Sequence, residues 1–177
     1  MPGPYPLTLL TTPRLVLDQI GEPDLPALVA VTRSNPEFLL THEGSGGEPG
    51  AFDEDMLGRD LAVAALDPFR HPLAIRRSAA VIGWADLLDE HPADGVPWIG
   101  LLELHAGAQG QGLGQEAARA LAGWYRDQGV ERLRLGVDDG NDRGARFWRQ
   151  LGYRFVERRD RPSPMGRLGV DVLELTL

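Results

Sequence analysis

The sequence contains no cysteine, and all 18 of its basic residues are arginine, so lysine is absent too. Without cysteine the chain cannot form disulfides, thiolate metal sites or an acyl-cysteine intermediate. Without lysine it lacks the phosphate-binding side chain of the Walker loop and the amine on which Schiff-base chemistry depends. Any group transfer by this chain must therefore proceed without a thiol or an amine side chain of its own.

Acidic residues outnumber basic residues by 26 to 18, which gives a net charge of −8 over 177 residues. No segment carries a basic stripe, so we expect no nucleic-acid partner. The excess of carboxylates suits a cationic acceptor such as an amine, although solubility alone is an alternative reason for it. The histidines stand apart at 42, 71, 91 and 105 without the spacing of metal ligands, so we expect no metal.

Long apolar runs are missing as well. No stretch approaches the length of a membrane-spanning helix, and Met1 to Thr12 has neither a basic start nor a small-residue cleavage site. We therefore expect a cytoplasmic protein that makes no membrane contact. The length suits a single domain over residues 1–177, as a monomer or a homodimer.

Hydrophobic periodicity predicts the order strand, two helices, three strands, helix, strand, helix, two strands. The predicted strands are 14–20, 71–76, 79–88, 98–105, 133–137, 153–159 and 169–177, and the predicted helices are 23–34, 52–66, 112–128 and 142–151. Strand 98–105 is apolar on both faces and should be central, and its strand–helix unit should pair in parallel with the next through a right-handed crossover. The expected fold class is α/β, with a mixed central sheet, parallel central strands and about four flanking helices.

The most informative motif is Gln109-Gly110-Gln111-Gly112-Leu113-Gly114, between the buried strand and an amphipathic helix. Its three glycines let the backbone come close to a ligand. The N–H groups that open the following helix can bind phosphate through their dipoles, without a lysine. The motif therefore predicts a phosphate-binding loop.

This segment resembles the Q/R-x-x-G-x-G/A motif of GNAT acetyltransferases, which binds the pyrophosphate of CoA. A second block resembles the family pattern N-x-x-A-x-x-(F/Y)-(Y/W)-x-x-L-G-(F/Y), and Thr12-Pro13-Arg14-Leu15 resembles the first strand of the RimJ-type branch. The residues of the second block are Asn141, Ala145, Phe147, Trp148, Leu151, Gly152 and Tyr153. The resemblance implies a single GNAT-like domain that moves an acetyl group from acetyl-CoA directly to a primary amine, on a protein N-terminus or a small molecule.

The resemblance also implies where the cofactor binds. The buried strand should separate from its parallel neighbour, and the pantetheine arm should lie in the cleft against backbone groups, with one N–H polarising the thioester carbonyl. The expected cofactor-binding residues are Leu104, Ala106, Gln109, Gly110, Gln111, Gly112, Leu113, Gly114, Asn141 and Trp148. Two of them have structural alternatives: Asn141 as a turn residue before a helix capped by Asp142, and Trp148 as a core residue.

The catalytic groups are harder to assign. The base and acid positions of RimI-type enzymes fall on Gly136 and Trp148, which cannot do that chemistry. Glu103 is a carboxylate inside a buried apolar strand, and burial raises a carboxyl pKa, so we predict it as the general base. The alternative is a buried ion pair with Arg134. His105 is a candidate proton shuttle, or else a strand-end histidine without a role.

Three other expectations remain open. A catalytically silent acyl-CoA-binding module would keep the same loop. A dinucleotide-binding protein is a further alternative, because 112–117 also fits G-x-G-x-x-G/A and Asp138 follows 21 residues beyond Ala117. The glycine-rich loop 42–51 should border the acceptor entrance and be mobile.

Overall fold

Eight strands form one mixed sheet in the order β1-β2-β3-β4-β5-β6-β8-β7. The computed structural model describes residues 4–37, 52–163 and 166–177. The strands are β1 (Leu9–Thr11), β2 (Val16–Gln19), β3 (Arg70–Arg77), β4 (Ala80–Leu88), β5 (Trp98–Leu104), β6 (Arg132–Asp138), β7 (Arg154–Ser163) and β8 (Gly166–Thr176). The helices are α1 (Leu25–Arg33), α2 (Glu54–Ala64), α3 (Leu113–Asp127) and α4 (Asp142–Gln150), with 3-10 turns at Glu22–Asp24 and Ala106–Ala108.

The predicted α/β class and element order are confirmed, with two differences. The sequence pattern does not predict β1, because its three residues are too few to show alternation, yet it pairs antiparallel with β2. The pattern places Pro162 between the last two strands, but this residue is within β7, opposite Arg167. Among the described helices, none is long and apolar enough to cross a membrane.

The two faces of the sheet are covered by different helices. The α3 stripe of Leu113, Ala117 and Leu121 joins the main core, together with Trp148 of α4. A second core forms on the other face, where α1 and α2 pack against Trp84 of β4. β4 therefore presents alternate residues to two separate hydrophobic layers, with Ala85 in one and Trp84 in the other.

A β-bulge at Gly100 changes which residues of β5 face each layer. Asp86 of β4 pairs with Leu101 and Leu87 pairs with Ile99, so Gly100 is an extra residue on β5. Beyond the bulge, Leu101 packs in the layer of α1 and α2, whereas Leu102 and Leu104 pack in the layer of α3. Glu103 consequently faces α1.

The parallel pair of β5 and β6 separates beyond this bulge. The paired residues are Trp98 with Arg134 and Ile99 with Leu135, at the start of β5 and in the middle of β6. β6 stays paired with β8 along its whole length, from Arg132 to Asp138. The second half of β5 therefore borders a gap where its neighbour would continue the sheet, and the expected separation of these two strands is present.

Asp94 connects β5, β6 and β7 at the end of the gap where β5 and β6 are still paired. Its carboxylate accepts hydrogen bonds from Arg134 of β6 at 3.1 Å, Arg159 of β7 at 2.8 Å and the Trp98 indole of β5 at 3.2 Å. Burial raises the pKa of Asp94, but the hydrogen bonds from the Val96 N–H, Arg159 and Arg134 outweigh it and lower the pKa. This fixed end keeps the strands together where the gap begins.

Candidate active site

The glycine loop leads to a helix start that no side chain caps. Gly112 is the N-cap of α3 and has a positive φ of 76°, a conformation that favours glycine. The first intrahelical bond of α3 runs from the Glu116 N–H to the Gly112 carbonyl at 3.1 Å. The N–H groups of the preceding first turn have no partner within the helix and can bind an anion.

Two arginines hold the loop from the side of β2 and β3. Arg14 donates to the Gln111 carbonyl at 3.0 Å and pairs with Glu116 at 2.6 Å. Arg77 donates to the Gln111 side chain at 2.9 Å. Neither arginine is among the site residues predicted from the sequence, although the Thr12–Leu15 segment that resembles the family contains Arg14.

Gly114 lies where the loop meets the gap. A methyl group on its Cα would be 3.5 Å from the Phe147 ring and 3.6 Å from the Leu104 side chain. Trp148, by contrast, is 9% exposed in the main core, with its ring against Tyr153. Phe147 is thus the aromatic residue that faces the glycine loop, and a cofactor contact of Trp148 stays a prediction.

The backbone of Leu104 points into the gap. The His105 N–H donates to the Ile82 carbonyl of β4 at 2.8 Å, and successive strand residues point to opposite edges, so the Leu104 N–H and C=O face the β6 side. The Leu104 carbonyl accepts from Gln109 at 2.8 Å and Asn35 at 3.0 Å. These bonds orient the peptide group that the sequence predicts to contact pantetheine.

The backbone N–H of Ala106, two residues after Leu104, is held by the residue that follows α1. The Ala106 N–H donates to the hydroxyl of Ser34 at 2.9 Å. Gln109 uses its side chain to join Asn35 and Leu104 rather than to point at the helix start. A contact of Gln109 with the cofactor would therefore have to use its backbone.

Glu103 is 7% exposed and accepts three hydrogen bonds from neutral donors. Thr32 (2.8 Å) and the Trp84 indole (3.0 Å) donate to Oε2, and Asn35 (3.0 Å) donates to Oε1. Burial raises the pKa of Glu103, and the three donors oppose this only in part. A carboxylate with a raised pKa is suited to accept a proton near neutral pH.

The expected alternative of a Glu103–Arg134 ion pair is wrong. Arg134 donates instead to Glu174 at 2.7 Å and to Asp94 at 3.1 Å. The bulge and the separation of the strands explain the difference, because β6 keeps its partners on β8 while the end of β5 turns toward α1. Thr32 and Asn35, which do hold Glu103, had no motif to reveal them.

His105 lies next to this cluster but is exposed. Its Nδ1 accepts a hydrogen bond from the Gly107 N–H at 3.0 Å, which caps the 3-10 turn after β5. This contact gives His105 a structural role. A role as a proton shuttle stays a prediction.

Asn141, and not Asp142, is the N-cap of α4. Its side-chain oxygen accepts from the Gly144 N–H at 2.8 Å, and Asp142 is the first helical residue. The alternative of a cap at Asp142 is therefore wrong, since Asn141 alone has the position and geometry of the cap. A contact between Asn141 and the pantetheine arm stays a prediction.

Two further expectations concern the acceptor entrance and the binding of a metal ion. The glycine-rich loop 42–51, which is predicted to border the acceptor entrance, lies outside the described residues. Within residues 4–37, 52–163 and 166–177, no three acidic or histidine side chains are grouped to hold a metal ion.

Solved structures share this fold at low sequence identity. An acetyltransferase from Thermus thermophilus superposes with a TM-score of 0.75 at 24% identity, covering 97% of this chain and 100% of the other. RimL, a ribosomal L7/L12 alpha-N-protein acetyltransferase in complex with coenzyme A, has a TM-score of 0.78 at 15% identity, with 96% and 98% covered. MccE, the microcin C7 self-immunity acetyltransferase in complex with acetyl-CoA and AMP, has a TM-score of 0.77 at 14% identity, with 94% of each chain covered.

No curated protein matches the sequence. The model of the acetyltransferase (GNAT) family matches residues 37–153, which include the glycine loop, Glu103 and the block around Asn141. The sheet contradicts the dinucleotide-binding alternative, because β5 and β6 are the only parallel neighbours among the described strands and that fold needs several. The chain belongs to the GNAT family of acetyltransferases.

Proposed function

We propose that this acetyltransferase moves the acetyl group of acetyl-CoA directly to the primary amine of a small molecule or a protein N-terminus. The observation that carries the proposal is the continuity of the β5–β6 gap with the uncapped start of α3. Gly114 borders both, because it lies between the helix start and the Leu104 side chain. One ligand with an extended arm and a diphosphate can occupy both features.

The glycine loop fits the diphosphate of such a ligand. Gly110 and Gly112 have positive φ, so the loop brings bare backbone to the surface at the helix start. The first-turn N–H groups and the helix dipole favour a dianionic group there. RimL and MccE, which share the fold, were solved with coenzyme A and with acetyl-CoA, and this supports acetyl-CoA as the donor.

The chain's own groups can serve each part of the transfer. A protonated amine first loses one proton, and its free nitrogen then attacks the thioester carbonyl carbon. As the C–S bond breaks, a second proton passes from that nitrogen to the leaving sulfur, so that CoA leaves as a thiol. We assign the amine proton to Glu103, whose burial raises its pKa above the ordinary value. The Leu104 N–H, which faces the gap, is the candidate donor to the carbonyl oxygen as negative charge develops there.

The proposal that the acceptor is an amine rests on the net charge of the chain. The chain carries a net charge of −8, which favours the approach of a protonated amine to the protein. RimL is named for a protein N-terminus as its acceptor, so both peptide and small-molecule amines belong in the test.

The test is acetyl-CoA consumption across a panel of small amines and peptides with free N-termini, with released CoA detected by a thiol reagent. The chain has no cysteine, so the protein itself gives no signal. Amine-dependent CoA release, lost in the Glu103→Gln variant with acetyl-CoA binding retained, supports the proposal. Binding of acetyl-CoA with no amine acetylated at any pH supports the catalytically silent module instead.

A further inference from the structure

Asn35, just beyond α1, joins three parts of the site through one side-chain amide. Its Nδ2 lies 3.0 Å from Glu103 Oε1, 3.0 Å from the Leu104 carbonyl oxygen and 3.1 Å from the Val31 carbonyl oxygen. Its Oδ1 accepts from Gln109 Nε2 at 2.9 Å. The amide therefore contacts the candidate base, the end of β5 and the glycine loop at once.

The Asn35 amide has fewer hydrogens than it has acceptors within reach. An amide NH₂ has two hydrogens, so the three acceptors around Nδ2 cannot all receive a full bond. Gln109 Nε2 supplies a second donor to the Leu104 carbonyl at 2.8 Å. That leaves Asn35 able to donate to Glu103 while the Leu104 peptide stays fixed.

The two oxygens of Glu103 are held differently. Oε2 receives both the Thr32 hydroxyl and the Trp84 indole, whereas Asn35 is the donor found at Oε1 within the described chain. Removing the Asn35 amide would leave Oε1 buried without that donor, which disfavours the charged carboxylate. Oε1 is thus the oxygen through which Asn35 acts.

The charged groups on the elements around Glu103 either have other partners or are exposed. Arg33 of α1 is exposed and donates to the Phe52 carbonyl at 2.9 Å. Asp86 of β4 pairs with Arg70, and Arg134 of β6 pairs with Asp94 and Glu174. Asp138 of β6 pairs with Arg161, the charged residues of α2 are exposed, and so is His105 at the end of β5. The protonation of Glu103 therefore depends mainly on burial and on its three neutral donors.

We propose that Asn35 is a positioning residue for acetyl transfer, whose amide sets the Glu103 carboxylate and the Leu104 peptide relative to the glycine loop. The inference rests on the proposed function. The inference gives the end of α1 a part in the reaction. Helix α1 covers the face of the sheet opposite α3. Asn35 reaches past the end of β5 to contact Gln109, which precedes α3.

The test compares Asn35→Ala and Asn35→Asp with the wild type, with Gln128→Ala at the far end of α3 as the control. We expect Asn35→Ala to lower kcat about tenfold or more, to raise KM for acetyl-CoA by less, and to move the acidic limb of kcat/KM to higher pH. Asn35→Asp should be worse than alanine, because it places a second carboxylate against Oε1. Asn35→Ser, which keeps a donor, should recover part of the loss, and it replaces the alanine variant if that chain does not fold.

A second measurement is independent of turnover. In protein labelled with glutamate carrying ¹³C at the carboxyl carbon, the Glu103 signal is assigned by its loss in Glu103→Gln and followed across pH. Its titration midpoint should rise in Asn35→Ala and rise further in Asn35→Asp. If both variants keep the wild-type midpoint, or lose stability alone with kcat and the acidic limb unchanged, Asn35 merely ends α1 and the proposal is wrong. If the wild type acetylates no amine, the proposed function fails, and the titration still decides the role of Asn35.

Discussion

Replacing Gly114 with alanine should stabilise the unliganded chain and at the same time weaken its binding of acetyl-CoA. Gly114 is the second residue of α3 and has an ordinary helical backbone rather than a positive φ. The added methyl would be 3.5 Å from Phe147 and 3.6 Å from Leu104, which are normal contact distances. The substitution therefore fits the folded chain without displacing a neighbour.

The expected gain in stability follows from the unfolded state. Alanine at a helical position loses less conformational entropy than glycine, which contributes about 0.5–1 kcal/mol. For a chain of this length, that raises Tm by about 1–4 °C. The expected loss in affinity follows from the same methyl, because it would stand beside the first-turn N–H groups that we propose to bind the diphosphate and would crowd the bound phosphate. Losing one charge-assisted hydrogen bond costs about 1.5–3 kcal/mol, which is about tenfold or more in Kd.

Gly123→Ala is the matched control on the same helix. Its added methyl would be 3.6 Å from the flexible Arg126 side chain, far along α3 from the glycine loop. It should raise Tm similarly and leave the Kd of acetyl-CoA unchanged. Tm is measured by thermal unfolding without ligand, and Kd by isothermal titration calorimetry. A Gly114→Ala protein that binds acetyl-CoA as tightly as Gly123→Ala would refute the placement of the diphosphate at this helix start.

Gly83→Ala should destabilise the chain by about 1–3 kcal/mol and abolish turnover, because the added Cβ would collide with the Glu103 carbonyl oxygen across the β4–β5 pair. A free energy of unfolding in urea equal to that of the wild type would contradict this prediction. Asn141→Ala should cost about 1 kcal/mol by removing the cap on the Gly144 N–H, and Asn141→Ser should restore most of it; equal midpoints for the two variants in urea would speak against the cap. Burial raises the pKa of Glu103 in the folded state. The stability that Glu103 contributes as a neutral acid is therefore fully present below the ordinary glutamate pKa, and it is lost as pH rises through the raised pKa. The free energy of unfolding of the wild type, relative to Glu103→Gln, should therefore fall from pH 4 toward neutral pH, and a constant difference in urea titrations over that range would show that the pKa is not raised.

The sequence by itself determined the order of the main strands and helices, the central position of β5 and the glycine loop before α3. These features depend on local patterns: an apolar run on both faces of β5, helical spacing in α3, and glycines where the backbone must adopt a positive φ. They also made Glu103 conspicuous as a carboxylate inside an apolar strand. Its burial at 7% exposure agrees with that pattern.

Only the tertiary structure decided what surrounds Glu103. Thr32 and Asn35 are 71 and 68 residues away along the chain, and they reach it because the bulge at Gly100 turns its side chain toward α1. A bulge is a property of the pairing between two strands, so the pattern of β5 alone could not reveal it, and Arg134 was the expected partner instead. The sheet register and the separation of β5 from β6 thus set the contacts of the candidate base, because hydrogen bonds between distant segments depend on how strands align rather than on the local order of residues.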